Sequence, residues 1–232
     1  MKMSILLIPR EEARKLLDEN TAALDPNTAA KVLELSDQII VQAFDDERVH
    51  LYLEGVSVFS PHGPALWVKS AAKVVLTLAD GEENFFKDTA IYMDRDETAR
   101  ACIFSETDLT INGGGSLSVT GNYRDAIRCK DVLKCLGGYI AAEAKRDGLR
   151  GSDGVFVREA SLDIQAGDNG ISSANAGEAG RGAICIEDAD ISITAETNGI
   201  WSVGDLYLSD TIHTADVKGA AFLANGRVYT DE

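Results

Sequence analysis

No run of 18 apolar residues occurs in the chain, so no segment is long and apolar enough to cross a membrane as a helix. The apolar stretch near the start, Ile5 to Ile8, gives way at once to charged residues and is too short for the core of an export signal. Taken as it stands, the chain is expected to be cytoplasmic. Positive charge is scarce: 22 Lys and Arg stand against 38 Asp and Glu, a net charge of −16. Such a surface repels nucleic-acid phosphates and anionic lipid, which sets both aside as partners. Cysteine and histidine are sparse too. Cys102, Cys129, Cys135 and Cys185 show no CxxC spacing, and His50, His62 and His213 lie in unrelated places. Neither a zinc knuckle nor a Ser-His-Asp set can be assembled from them. The thiols read as small, reduced core residues. The GGGS run at 113–116 is not followed by a helix, so it is a turn and not a phosphate loop.

What the chain does contain is a repeat. Arg124-Asp125-Ala126-Ile127-Arg128 returns 22 residues later as Arg146-Asp147-Gly148-Leu149-Arg150. Successive turns start near Ile103, Ile127, Leu149, Ile171 and Ile200, with a further one near Ala220; a Gly/Ala/Ser-rich insertion around 175–182 lengthens the fourth step. Aligned on this period, apolar residues form columns. Leu109, Leu133, Val155, Ile184 and Leu206 make one, and Ile111, Cys135, Val157, Ile186 and Leu208 the next. A column through Leu117, Ile140, Leu162 and Ile191 is expected to continue to Ile212, and one through Val119, Ala142, Ile164 and Ile193 to Thr214. Strands spaced about 4.8 Å apart would stack such side chains inside a coil, with the mostly polar residues between them outside. A leucine-rich repeat would need an LxxLxLxxN signature, which is absent. The expectation is an all-β, single-stranded parallel β-helix over 31–232. Residues 1–30 would form a cap whose helix spans 10–19, where Ala13, Leu16 and Leu17 have helical spacing. Residues 79–100 read as a polar, irregular insertion.

The run DDERVHLYLEGV, then GPALWVKSAAKVVLTLADG, DLTINGGGSLSVTGNYRDAI, DGLRGSD, SLDIQAGDNGI and NGIWS resembles the bacterial carbohydrate-binding β-helix family, whose members include clostridial binders of pectic acid. DLTINGGGSLSVTGNY is the most specific piece, and the likeness covers roughly Val32 to Lys218. The resemblance implies a right-handed, pectate-lyase-like (pectin-lyase-like) coil that binds Ca²⁺ and acidic polysaccharide and works in a secreted or cell-surface setting. Ala126, Asn169 and Asn198 replace parts of that family's Asp-Gly pairs.

Two columns carry the candidate chemistry. Asp125 and Asp147 occupy the same place in consecutive coils, followed by Asn169, with Asp168 beside it. Two carboxylates about 5 Å apart repel by roughly 3–4 kcal/mol at an effective dielectric near 20, so a partner must offset them. One reading is Ca²⁺ held by Asp125, Asp147, Asp168 and Asn169, because these are hard oxygen ligands. The other is a salt-bridged turn in which Arg124 and Arg146 neutralise the acids. The second column points outward and reads Phe104, Arg128, Arg150, Ser172, Trp201, with Trp67 in the same place of an earlier coil. Aromatic faces stack on sugars and Arg forks grip carboxylates, so Trp67, Phe104, Arg128, Arg150 and Trp201 are the candidate ligand-binding residues. The function expected is non-catalytic binding of an acidic, polygalacturonate-like polysaccharide with calcium, by a monomer. The alternatives are a calcium-dependent polysaccharide lyase with Arg128 or Arg150 as base, and a purely structural β-helix.

Overall fold

The computed structural model describes residues 34–35, 38–93, 99–177 and 181–231. Among these the regular structure is entirely β, in 24 strands running from Glu34–Leu35 to Val228–Thr230. The capping helix expected over 10–19 lies outside the described residues. Each strand but the last three pairs in parallel with the strand three places further on, which gives three eight-stranded parallel sheets and one coil per three strands. Sheet A contains Ser116–Gly121 and Tyr139–Ala144, sheet B contains Asp125–Cys129 and Leu149–Gly151, and sheet C contains Val132–Leu136 and Gly154–Arg158. This is a parallel β-helix.

The columns are the reason the chain coils. Ile103, Ile127, Leu149, Ile171 and Ile200 are paired partners across sheet B. Leu109, Leu133, Val155, Ile184 and Leu206 are partners across sheet C. All ten are buried in one continuous core. Like side chains fall on like side chains one strand spacing apart. Each fully buried Leu or Ile then contributes about 1.5–3 kcal/mol.

Three expectations change. Within 79–100 the structure has a strand, Glu83–Lys87, so the insertion begins only after it. Its alternation was hidden because a polar residue faces in: Asn84 is buried, accepts from the Val56 N–H at 2.9 Å and donates to the Ser116 carbonyl at 3.1 Å. At the far end of sheet A, Ile191 pairs with His213 and Ile193 with Ala215, one residue out of phase with the Ile212 and Thr214 positions predicted. A one-residue shift exchanges inward and outward faces, and His213 and Ala215 are exposed. Finally, Cys102, Cys129 and Cys135 are buried, as small core residues should be, but Cys185 sits on the outer side of sheet C and is half-buried. Burial pushes the Cys129 and Cys135 thiols up to about 12, which keeps them protonated and unreactive at neutral pH.

Candidate functional site

Sheet B carries the predicted outward column in unbroken register: Trp67, Phe104, Arg128, Arg150, Ser172 and Trp201 are successive partners. Their environments differ sharply. Trp67 is 5% exposed and Phe104 is 0% exposed, and both pack with Ala99 and Ala101 in a second small core outside the coil. Neither presents a ring face to solvent, which corrects their assignment as stacking platforms. Register fixes the side of the sheet on which a residue emerges, and on that side Ala99 packs against these two rings. The exposed part of the column is Arg128, Arg150 and Trp201, each half-buried, with Ser172 buried between the second and third.

The segment directly after Lys87 is fastened at Asp88. This carboxylate is buried; it accepts the Asn122 N–H at 2.5 Å and the Tyr92 hydroxyl at 2.6 Å, and Tyr92 stacks on Tyr123 with ring centroids 4.1 Å apart. The Tyr92 hydroxyl also lies 2.9 Å from the Ala101 carbonyl. It has one proton and two acceptors. If Asp88 is neutral, its own O–H serves Tyr92 and the tyrosine proton serves Ala101. Burial accordingly pushes Asp88 up to about 6, against the downward pull of the bonds from Tyr92 and Asn122. Because the folded state holds this proton more tightly than the unfolded state, the contribution is fully present below pH 3.8 and is lost as pH rises through about 6. Above that pH the buried charge costs about 3 kcal/mol. Asp88→Asn mimics the neutral acid, so the variant should lose this dependence and match or exceed the parent at pH 7. Urea midpoints of both proteins at pH 5 and pH 7 check it; a midpoint difference that does not change between the two pH values refutes the assignment.

The aspartate column forms a ladder. The Asp147 N–H donates to Asp125 Oδ1 at 3.3 Å, and the Asn169 N–H donates to Asp147 Oδ1 at 3.1 Å. Asn198 Nδ2 donates to Asn169 Oδ1 at 2.9 Å, and the Ala220 N–H to Asn198 Oδ1 at 3.1 Å. Each rung thus bonds to the coil above it. The charge partners are not Arg124 and Arg146, as the salt-bridged reading supposed, but the outward arginines three residues on. Arg150 Nη1 lies 2.8 Å from Asp147 Oδ2, and Arg128 Nη1 lies 3.4 Å from Asp125 Oδ2. Arg146 instead holds Asp168 at 2.7 Å. Ser172 Oγ adds a bond to Asp147 Oδ2 at 2.8 Å and Asn169 Nδ2 one to Oδ1 at 3.1 Å.

These bonds set the charges. Burial pushes Asp125 up, with the Asp147 charge adding to it, against the attraction of Arg128 and Arg150. Burial pushes Asp147 up as well, but the bonds from Arg150, Ser172 and Asn169 outweigh it and hold the carboxyl below its usual range. Burial pulls the Arg128 guanidinium down; Asp125 opposes this, and repulsion from Arg150 and Arg100 adds to it. Arg100 and Arg150 thus both lie close enough to Arg128 to repel it, with Asp125 and Asp147 as the opposing charges. The residues do not fit a calcium shell. Both oxygens of Asp147 and both of Asp125 already accept bonds, each acid faces a guanidinium, and Asp168 is engaged with Arg146 away from them. Among the described residues no group of three His, Cys, Asp or Glu is placed to hold a metal ion.

One exposed feature lay outside the sequence reading. On the outer side of sheet C, Lys134, Phe156, Cys185, Tyr207 and Tyr229 are successive partners. Phe156, Tyr207 and Tyr229 are 39%, 39% and 40% exposed. These residues lie between the two inward columns of the same alignment, at positions the alternation predicts to be polar.

Comparison with known proteins gives the family. A family model described as "Carbohydrate-binding domain-containing protein" matches residues 33–225. A protein of that same description from Acetivibrio thermocellus is 36% identical over 110 residues, which are 46% of this chain and 38% of the relative. The matched stretch thus spans well under half of that relative's length. A solved structure described as the polysaccharide lyase-like protein from C. thermocellum, a gadolinium derivative, superposes with a TM-score of 0.83 at 31% identity, covering 86% of this chain and 82% of that one. With the family model spanning nearly the whole coil and a three-sheet parallel β-helix beneath it, the chain belongs to the carbohydrate-binding domain family.

Proposed function

We propose that this protein is a non-catalytic carbohydrate-binding β-helix, coiled right-handed as parallel crossovers almost always are, that takes an acidic polysaccharide along sheet B. The observation that carries the proposal is the arginine row. Arg128 and Arg150 are neighbours in register, their side chains are 22% and 18% exposed, and each makes one bond among the described residues, through Nη1 to its own aspartate. A guanidinium has five N–H donors, so capacity remains on each for a uronate carboxylate. An anionic ligand would also relieve the repulsion between the arginines. Trp201, two coils further along the same column, supplies an aromatic surface at about 9.6 Å, twice the strand spacing.

The proposal does not route binding through a cation at the aspartate ladder, because those oxygens are engaged. Retention on immobilised polygalacturonate is therefore expected to persist in the presence of a chelator. Arg128→Ala and Trp201→Ala should each weaken retention by about tenfold, the scale of a central contact. Equal retention of both variants and the parent would remove the arginine row as the site. Retention that vanishes with chelator would restore the calcium-bridged reading. Growth of ultraviolet absorbance from an unsaturated uronate product would restore the lyase reading.

A further inference from the structure

We propose that the outer face of sheet C holds a slot for a single uncharged pyranose ring, sandwiched between Phe156 and Tyr207 above Cys185. This site goes beyond the arginine row and lies on a different sheet. The rings of Tyr207 and Tyr229 stack along the coil axis, with centroids 4.6 Å apart and planes 2° from parallel. One face of Tyr207 is thus closed by Tyr229, and its other face looks along the axis toward the preceding coil. That coil carries Cys185 at this position, and the coil before it carries Phe156. Lys134 Nζ, 5.6 Å from the Phe156 ring centroid, belongs to the coil before that. The column therefore reads cation, ring, small side chain, ring, ring. It is a stack with one ring missing.

The gap has the size of a sugar. Phe156 and Tyr207 stand two strands apart, about 9.6 Å, so a ring placed midway lies about 4.8 Å from each, within the 4.5–7 Å range of stacked ring pairs. A cavity of about 550 Å³ opens there, lined by Phe156, Ala183, Cys185 and Tyr207 with Arg181 and Asp205 at its rim. This volume falls within the usual range for small-ligand sites. The rim chooses the ligand. Arg181 is paired with Asp153. Asp205 accepts the Arg227 N–H at 2.8 Å and the Tyr207 hydroxyl at 3.1 Å, and the Arg227 guanidinium attracts it from nearby. Both arginines near the mouth thus face acids, so it offers a hydroxyl acceptor and no spare positive charge for a second carboxylate. Apolar ring faces above and below with a hydroxyl acceptor at the edge suit a pyranose, and the acid disfavours a uronate.

Cys185 reports on the slot directly, because it is the half-buried thiol while Cys102, Cys129 and Cys135 are buried. The intact protein would be alkylated with and without hexasaccharides of glucose, xylose, mannose and galactose, and with hexagalacturonate, and labelling of Cys185 followed by mass spectrometry. At least one uncharged sugar is expected to slow labelling about tenfold or more, and Tyr207→Ala to abolish that protection. Cys185→Phe supplies the missing ring; it should lower affinity for the same sugar at least tenfold in calorimetric titration, with no loss of thermal midpoint. Protection by none of the uncharged sugars, or parental affinity in Cys185→Phe, overturns the slot. Protection by hexagalacturonate equal to that by the best uncharged sugar overturns the ligand class. Arg128→Ala should leave protection intact, which separates this site from the one on sheet B.

Discussion

Arg150→Ala is expected to cost about 3–5 kcal/mol of stability, the scale for removing one partner of a buried ion pair. For a chain of this size that is a fall in melting temperature on the order of 10 °C. Asp147 is fully buried, and its carboxyl is held below the usual range, so it stays ionised in the fold. Without the guanidinium 2.8 Å away, a negative charge remains in the interior, bonded by Ser172, Asn169 and a backbone N–H and attracted by Arg146 without a direct bond. The same change one coil earlier should be milder. Asp125 is already pushed upward by burial and by Asp147, so after Arg128→Ala it takes up a proton rather than remain as a bare charge. A double variant, Asp147→Asn with Arg150→Ser, copies the arrangement of the next coil, Asn169 with Ser172, and should recover most of the lost stability. Thermal melts of the three variants decide the matter. An Arg150→Ala midpoint within a degree or two of the parent would mean that Asp147 is not charged.

Gly113→Ala is expected to abolish the folded protein or nearly so. Gly113 has φ +100°, and a Cβ built there would stand 2.1 Å from the carbonyl oxygen of Leu78. That atom is backbone of the neighbouring coil, next to a fully buried side chain, so nothing flexible can move aside. Gly81 gives the contrast. Its φ is +76°, but a Cβ would meet nothing within 4 Å, so Gly81→Ala should cost only about 1 kcal/mol of backbone strain. Soluble yield and urea midpoint separate the two. A Gly113→Ala protein that unfolds alongside Gly81→Ala would show that the coils can part at this turn without penalty.

The coil was legible because the period is short and its columns repeat the same residue types: Ile103, Ile127, Leu149, Ile171 and Ile200 announce a stack wherever the chain is cut. What sequence could not supply was which atoms meet across and above that stack. The two predicted partners of Asp125 are Ca²⁺ and Arg124, its neighbour in an equivalent column. In the structure Ala126 and Ile127 both belong to the core. Alternation slips by one there, and Asp125 and Arg128 emerge together on the outer side. Coverage is likewise invisible in a repeat. The column makes Trp67 and Phe104 equivalent to Trp201, but Ala99 packs against the first two and not the third. The Glu83–Lys87 strand escaped notice for the opposite reason, since buried Asn84 meets its polar needs with Val56 and Ser116 and so breaks the apolar pattern. The rings of sheet C stand between Val155 and Val157 and between Leu206 and Leu208, at outward positions whose residues vary from coil to coil and so form no column of like type.

The ladder of Asp125, Asp147, Asn169 and Asn198 has a consequence for how a polymer meets this surface. Acid gives way to amide between the second and third rungs, and arginine gives way at the same step to Ser172 and Trp201. Charge and countercharge disappear together, so the surface has a cationic end and an aromatic end along one axis. A saccharide chain also has two distinguishable ends. A strand laid down in one sense would set its carboxylates against Arg128 and Arg150 and a ring face against Trp201, and the reversed strand would present different edges to each. Bound in the proposed way, the polymer would be read directionally, and chains would be sorted by orientation as well as by composition.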